Sequence, residues 1–333
     1  YARAESAAAM KLATLKGISP DGELFVVSRD LTRAANAAHI APTLQAAIER
    51  WSEVEGQLLE LFSAVNAGTA KGARTLDLKD CLAPMPRAWQ WLDGSAFEKH
   101  GELMQQAFNL PPIETDKPLM YQGLSDRFIG PYADVNLPSE DDGIDFEGEF
   151  GVITDAVPMG TSAEEARAHI RLIVQINDWS LRAIAPAEMK TGFGWVQAKP
   201  ACSMAPIAVT PDELGEAWQN ARVHLPLKIE WNDKTFGNAN GSEMAYGFDD
   251  LIAHAAHSRS LVAGTIIGSG TVSNEYYASV GSSCISERRA IDMIEFGEVR
   301  TPFMSFGDRI RMEAQTLNGE PLFGPLDQVV IKN

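Results

Sequence analysis

A chain of 333 residues with 45% hydrophobic content is long enough for two domains and can bury a substantial core. The formal charge of −17 excludes the basic footprint that nucleic acid or an anionic membrane surface requires, and no long apolar run marks a membrane span. Three widely spaced cysteines, Cys81, Cys202 and Cys284, fit a reducing compartment better than a disulfide or zinc scaffold.

Residues 1–9 lack the apolar stretch of a signal peptide and read as a cloning remnant or short leader ahead of Met10, in a cytoplasmic protein. "KLATLK", a turn at Ser19-Pro20-Asp21-Gly22 and "ELFVVS" predict a hairpin within residues 10–30. Residues 41–68 carry apolar positions at helical spacing and end at a glycine, predicting one long helix or two shorter ones. Residues 81–108 open with prolines and tryptophans and turn helical later. A boundary near residues 75–115 divides an N-terminal domain with a lid segment, 10–110, from a larger domain, 111–333.

Beyond it the chain is β-rich. "TSAEEARAHI" predicts a helix opened by Ser162 with Glu165 three residues on, a capping box. "RLIVQINDWS" reads as a buried strand, and "HLPLKIEWNDKTFGNA" as a hairpin turning at Asn232-Asp233. "AYGFDDLIAHAAHSRS" is helical, "GTIIGSGTVSN" a strand, and a last hairpin turns at Asn318-Gly319. Many strands with a few inserted helices make the fold class α+β.

Chemistry concentrates in "IDFEGEFGVI", residues 144–153. In a strand, Glu147 and Glu149 share a face. Such a pair is ordinarily a solvated face; inside an apolar run, either that face is wet or a cation compensates it. Asp178, ending the strand "RLIVQIND", adds a third carboxylate, and three hard oxygen donors suit Mg²⁺, Mn²⁺ or Ca²⁺. His254 and His257, three apart on a helix, lack a third nitrogen or sulfur ligand and read as a solvated face, while His39, His169 and His224 look incidental. His100 follows Asp93 by seven residues and by itself reads as structural. "TIIGSGTVSN" has Ser273 where a dinucleotide fingerprint needs its third glycine, which rejects that reading.

Taken in order, "YQGLSDRFIGP", "DFEGEFGVI", "INDWSLRAI", "QAKP" and "GSGTVSN" resemble the fumarylacetoacetate hydrolase family over residues 115–333. The resemblance implies a mixed β-roll catalytic domain, with a divalent metal held by Glu147, Glu149 and Asp178 and with Asp93 as a fourth ligand. Mg²⁺ is its first choice, with Ca²⁺ or Mn²⁺ as alternatives. It implies His100 as general base, Glu287 orienting it, Lys199 near the oxyanion, and Tyr121 and Thr271 against substrate. Asn109 and Ala185 stand where the family's substrate-binding arginine and glutamine fall, which leaves the exact substrate open and the metal chemistry intact. The implied reaction is metal-dependent hydrolysis of a carbon–carbon bond in a 1,3-diketo acid, fumarylacetoacetate or acylpyruvate-like, in aromatic compound catabolism. Alternatives are a 2-oxo acid decarboxylase, hydratase or tautomerase of the same family, or a non-catalytic metal-stabilised binding protein. A homodimer through the β-rich domain is expected, with a small diketo acid as the partner molecule.

Overall fold

The structure is a computed structural model that describes residues 8–333; the leader reading of residues 1–9 falls, but for Ala8 and Ala9, outside the described residues. The fold is α+β. Among the described residues the largest sheet has 11 strands. In spatial order they are Arg74–Thr75, Arg33–Asn36, Glu23–Val27, Lys11–Leu15, Ile207–Val209, Ile170–Asn177, Gly148–Thr154, Thr265–Gly268, Trp91–Gly94 and Met120–Gly123, with Ser203–Met204 beside Ile170–Asn177. The N-terminal hairpin forms at the turn read from the sequence, closed by Gly22 N–H donating to Ser19 C=O at 3.0 Å. Lys11 pairs Val209, so the hairpin extends the sheet that carries the acidic motifs.

Each face of this sheet holds a core. On one, Trp51, Val54, Leu58, Phe62 and Val65 recur at helical spacing and pack on Leu12, Val26, Val174 and Ile266. The helical stretch divides into Leu44–Glu49 and Trp51–Ala67 at Arg50, whose φ of −124° leaves the helical region. On the other face, Phe150, Val152, Ile173 and Ile267 meet Leu251 and Ile252 of the helix Phe248–Ala255 and Ile229, Ile310 and Met312 of a second sheet. That sheet orders Lys234–Asn240, Pro226–Trp231, Arg309–Glu313, Leu326–Lys332 and Val135–Leu137. Burial on both faces explains why Gly148–Thr154 and Ile170–Asn177 read as near-continuous apolar runs.

Asn232 and Asp233 adopt positive φ of 50° and 61°, as the tight hairpin turn between their strands requires. Elsewhere the structure corrects the reading. At Asn318-Gly319 only the bridge between Gln315 and Pro321 forms, and the long partner of Arg309–Glu313 is Leu326–Lys332. The strand expected over 264–274 stops at Gly268. A helix absent from the sequence reading spans Ile285–Phe296.

Gly268 fixes the spacing of the central strands. It pairs Gly151 on one side and Asp93 on the other. A Cβ there would lie 2.1 Å from Asp93 Oδ1 and 2.3 Å from the Trp91 ring. Gly270, at φ +79°, similarly brings its backbone against Gly94 C=O, which a Cβ would meet at 2.4 Å. Gly268→Ala is therefore expected to displace Asp93 and to lower unfolding free energy by about 1–3 kcal/mol. Urea denaturation measures this, and an unchanged midpoint would mean the strands have slack that these distances do not show.

Candidate metal centre and its histidine

The main chain assembles the acidic motifs. Ile176 pairs Glu149, Asp178 N–H donates to Glu147 C=O at 2.9 Å, and Glu147 N–H donates to Asn177 Oδ1 at 3.0 Å. Asp93 sits opposite both Gly268 and Tyr121 in the ladder. One carboxylate oxygen each from Asp93, Glu147, Glu149 and Asp178 lies within 4.8 Å of the others, and all four residues are buried.

The cluster divides into two halves. Lys199 Nζ donates to Glu147 Oε2 at 3.0 Å, Asp178 Oδ2 at 2.8 Å and Ser180 Oγ at 2.8 Å. Arg182 bridges Asp145 Oδ2 at 2.9 Å and Glu147 Oε1 at 2.6 Å. Burial works against ionised Glu147, yet Lys199, Arg182 and His100 together hold its carboxyl well below the usual range. Burial likewise opposes charge on Lys199, and Asp178 and Glu147 outweigh it, so the ammonium persists. Tyr121 donates its hydroxyl to Asp178 Oδ2 at 2.6 Å, and the Cys202 thiol donates to Asp178 Oδ1 at 3.1 Å.

Asp93 and Glu149 form the other half. Among the described residues no cationic side chain pairs with either, and Asp93 Oδ1 and both Glu149 oxygens are buried without a hydrogen-bond partner. Burial first, then neighbouring carboxylates, raises both carboxyls well above their ordinary range. The two groups face one another, so only a proton or a cation between them makes the approach favourable. Convergent oxygen donors with orphaned lone pairs fit a hard divalent cation, and Asp93, Glu147, Glu149 and Asp178 are the residues that would hold it.

His100 stands on the helix Glu98–Phe108 and Glu287 on Ile285–Phe296, two helices packed side by side. His100 Nδ1 lies 2.8 Å from Glu287 Oε2, and Glu287 is fully buried. Asp145 accepts the backbone N–H groups of Ile285 at 2.7 Å and Ser286 at 2.8 Å, satisfying the first turn of that helix. The same carboxylate takes Arg182, so one buried residue joins the helix under His100 to the strand of the cluster. Thr271 follows the strand Thr265–Gly268 where Val272 N–H donates to Gly148 C=O at 3.0 Å, one residue from Glu149. Asn109 caps the end of the His100 helix at φ 51°, and Ala185 opens the helix Ala185–Thr191.

Arg182, Asp145, Ser180 and Cys202 were not singled out from sequence. The first three stand inside the quoted motifs, so their spacing was visible and only their partners were hidden; Cys202 gives no local signal. His169 meets Asp155 at 2.6 Å, away from the cluster.

The raised carboxyls set a sign. A folded chain with Asp93 and Glu149 above their unfolded values binds extra protons. That stability is complete below the ordinary carboxylate range and declines as pH rises through the raised values. Chelator-treated protein should therefore melt at lower temperature at pH 8 than at pH 6, and saturating Mg²⁺ should remove the difference. At 100-fold over Kd the ion adds about 2.7 kcal/mol. Glu149→Gln should abolish the Mg²⁺ response while raising the chelated melting point at pH 8. A Mg²⁺-independent melting point in the native chain would contradict the assignment.

The description fumarylacetoacetate hydrolase C-terminal matches residues 90–331, and fumarylacetoacetase N-terminal domain 2 matches residues 10–87. A 2,4-didehydro-3-deoxy-L-rhamnonate hydrolase of a Sphingomonas species is 28% identical over 163 residues, covering 48% of this chain and 54% of that protein. A human mitochondrial oxaloacetate tautomerase is 24% identical over 163 residues, covering 46% of this chain and 48% of that protein. The matched part thus spans about half the length of these curated relatives. Among solved structures, a fumarylacetoacetate hydrolase from Exiguobacterium antarcticum superposes with a TM-score of 0.66 at 16% identity, covering 97% of this chain and 100% of that one. A maleylpyruvate hydrolase from a Sphingobium species superposes with a TM-score of 0.65 at 16% identity over the same shares. With family models matching from residue 10 to residue 331, the chain belongs to the fumarylacetoacetate hydrolase family.

Proposed function

We propose that this chain hydrolyses a carbon–carbon bond in an acylpyruvate-like 1,3-diketo acid. The observation that carries the reading is the pair formed by His100 and Glu287, 2.8 Å apart beside the acidic cluster. With Nδ1–H donated to Glu287, the Nε2 lone pair of His100 is free to accept a proton from water. The water oxygen then bonds to the ketone carbon, the carbon–carbon bond breaks, and its electron pair leaves on the pyruvate half, which takes up a proton. Products are a carboxylic acid and pyruvate. A divalent cation on Asp93, Glu147, Glu149 and Asp178 supplies Lewis-acid polarisation of the substrate oxygens. Lys199 brings a persistent positive charge to the same place, and all three of its N–H groups are held by Glu147, Asp178 and Ser180. Tyr121, stacked edge-on against Trp195 with ring centroids 4.8 Å apart, forms an aromatic wall beside that ammonium.

A second reading, tautomerisation of a 2-oxo acid such as oxaloacetate, is supported by the names of the tautomerase relatives. It moves a proton on carbon and activates no water, so His100 separates the two. A homodimer acting in the cytoplasm on aromatic breakdown products belongs to the same proposal.

Loss of acylpyruvate enol absorbance with Mg²⁺ measures the hydrolysis. His100→Ala should lower kcat by about 10²-fold or more with Mg²⁺ affinity unchanged. Glu287→Gln should lower kcat less than His100→Ala, because the histidine loses the carboxylate that orients it. Native-rate hydrolysis by folded His100→Ala, or oxaloacetate tautomerisation with no acylpyruvate turnover, would overturn the reading.

A further inference from the structure

The strand Met120–Gly123 has a second face. Tyr121 reaches Asp178 on one side, so Met120 and Gln122 point to the other, as does Leu92 beside Asp93 on the next strand. There they border a cleft of about 490 Å³, which Tyr121 also lines, within the range of small-molecule sites. Lys117, His254, His257 and Arg259 also line this cleft, and no acidic side chain does. In a chain of formal charge −17, such a concentration of basic groups is unusual.

Lys117 and Arg259 are not neutralised within the fold. Among the described residues none of the four pairs with a carboxylate, and the side-chain partner of Arg259 is the neutral Gln122 Oε1 at 3.0 Å. His254 and His257 lie one turn apart, with His257 N–H donating to His254 C=O at 3.3 Å. Burial, then the charges of Lys117 and His257, holds the His254 imidazole below its ordinary value. Crowded positive groups without a counter-charge favour an anion, and the apolar surface of Leu92 and Met120 favours one with a hydrocarbon body.

We propose that this cleft is a second binding site, on the opposite face of the sheet from the carboxylate cluster, for a small organic carboxylate. Its anionic head meets Lys117, His254, His257 and Arg259, and its apolar body lies on Leu92 and Met120. The occupant rests against the strands that carry Asp93 and Tyr121.

Isothermal titration with benzoate tests the site independently of any catalytic activity. Binding should persist in chelator, which separates this site from the metal centre. Lys117→Ala with Arg259→Gln, both changes outside the core, should weaken it about tenfold or more. Inorganic phosphate, which has the charge and not the hydrocarbon, should bind more weakly than benzoate. No benzoate binding at millimolar concentration, tighter binding of phosphate, loss in chelator, or equal affinity in the double variant would overturn the proposal.

Discussion

Four buried carboxylates within 4.8 Å of one another repel, and much of the surrounding structure answers that constraint. At this separation and an effective dielectric of about 20, each ionised pair costs roughly 3–4 kcal/mol. Lys199 and Arg182 offset the Glu147 and Asp178 half. Asp93 and Glu149 receive no such partner, and Gly268, by lacking a side chain, lets Asp93 lean into the cluster. A divalent cation answers both the uncompensated charge and the orphaned oxygens. Protonation answers the charge and links one pair of oxygens, leaving the remaining lone pairs without a partner.

Asp145 extends this organisation beyond the cluster. It is fully buried, accepts two backbone N–H groups from the start of the helix Ile285–Phe296, and pairs with the guanidinium that also holds Glu147. Burial raises its carboxyl, with Arg182 and the helix N–H groups acting in opposition. Through this side chain the helix bearing Glu287, and so the orientation of His100, is tied to the acidic strand. The proposed hydrolysis needs such a tie, since a base displaced by about an ångström loses much of its effect.

Much of the central geometry was legible because it is local. Period-two alternation put Glu147 and Glu149 on one face, and an apolar strand ending in Asp178 announced a carboxylate at a core boundary. The turn at Asn232-Asp233 and the Ser162–Glu165 capping box were equally local, and both form. What the sequence concealed depends on contacts between distant segments. The helix Ile285–Phe296 starts after a polar run, and the carboxylate that satisfies its first turn lies 140 residues earlier. Likewise the turn at Asn318-Gly319 is real, but the strand that pairs with Arg309–Glu313 was decided by the apolar face of Leu326–Lys332. Cys202 carries no local signal, and only the fold brings its thiol to Asp178.

The central claim is that a hard divalent cation holds the four carboxylates together. Anomalous diffraction from crystals grown with Mn²⁺ tests it most directly. The account predicts a single strong peak about 2.0–2.6 Å from oxygens of Asp93, Glu147, Glu149 and Asp178. An absent peak, with Asp93 and Glu149 sharing a proton across a short contact, would contradict it.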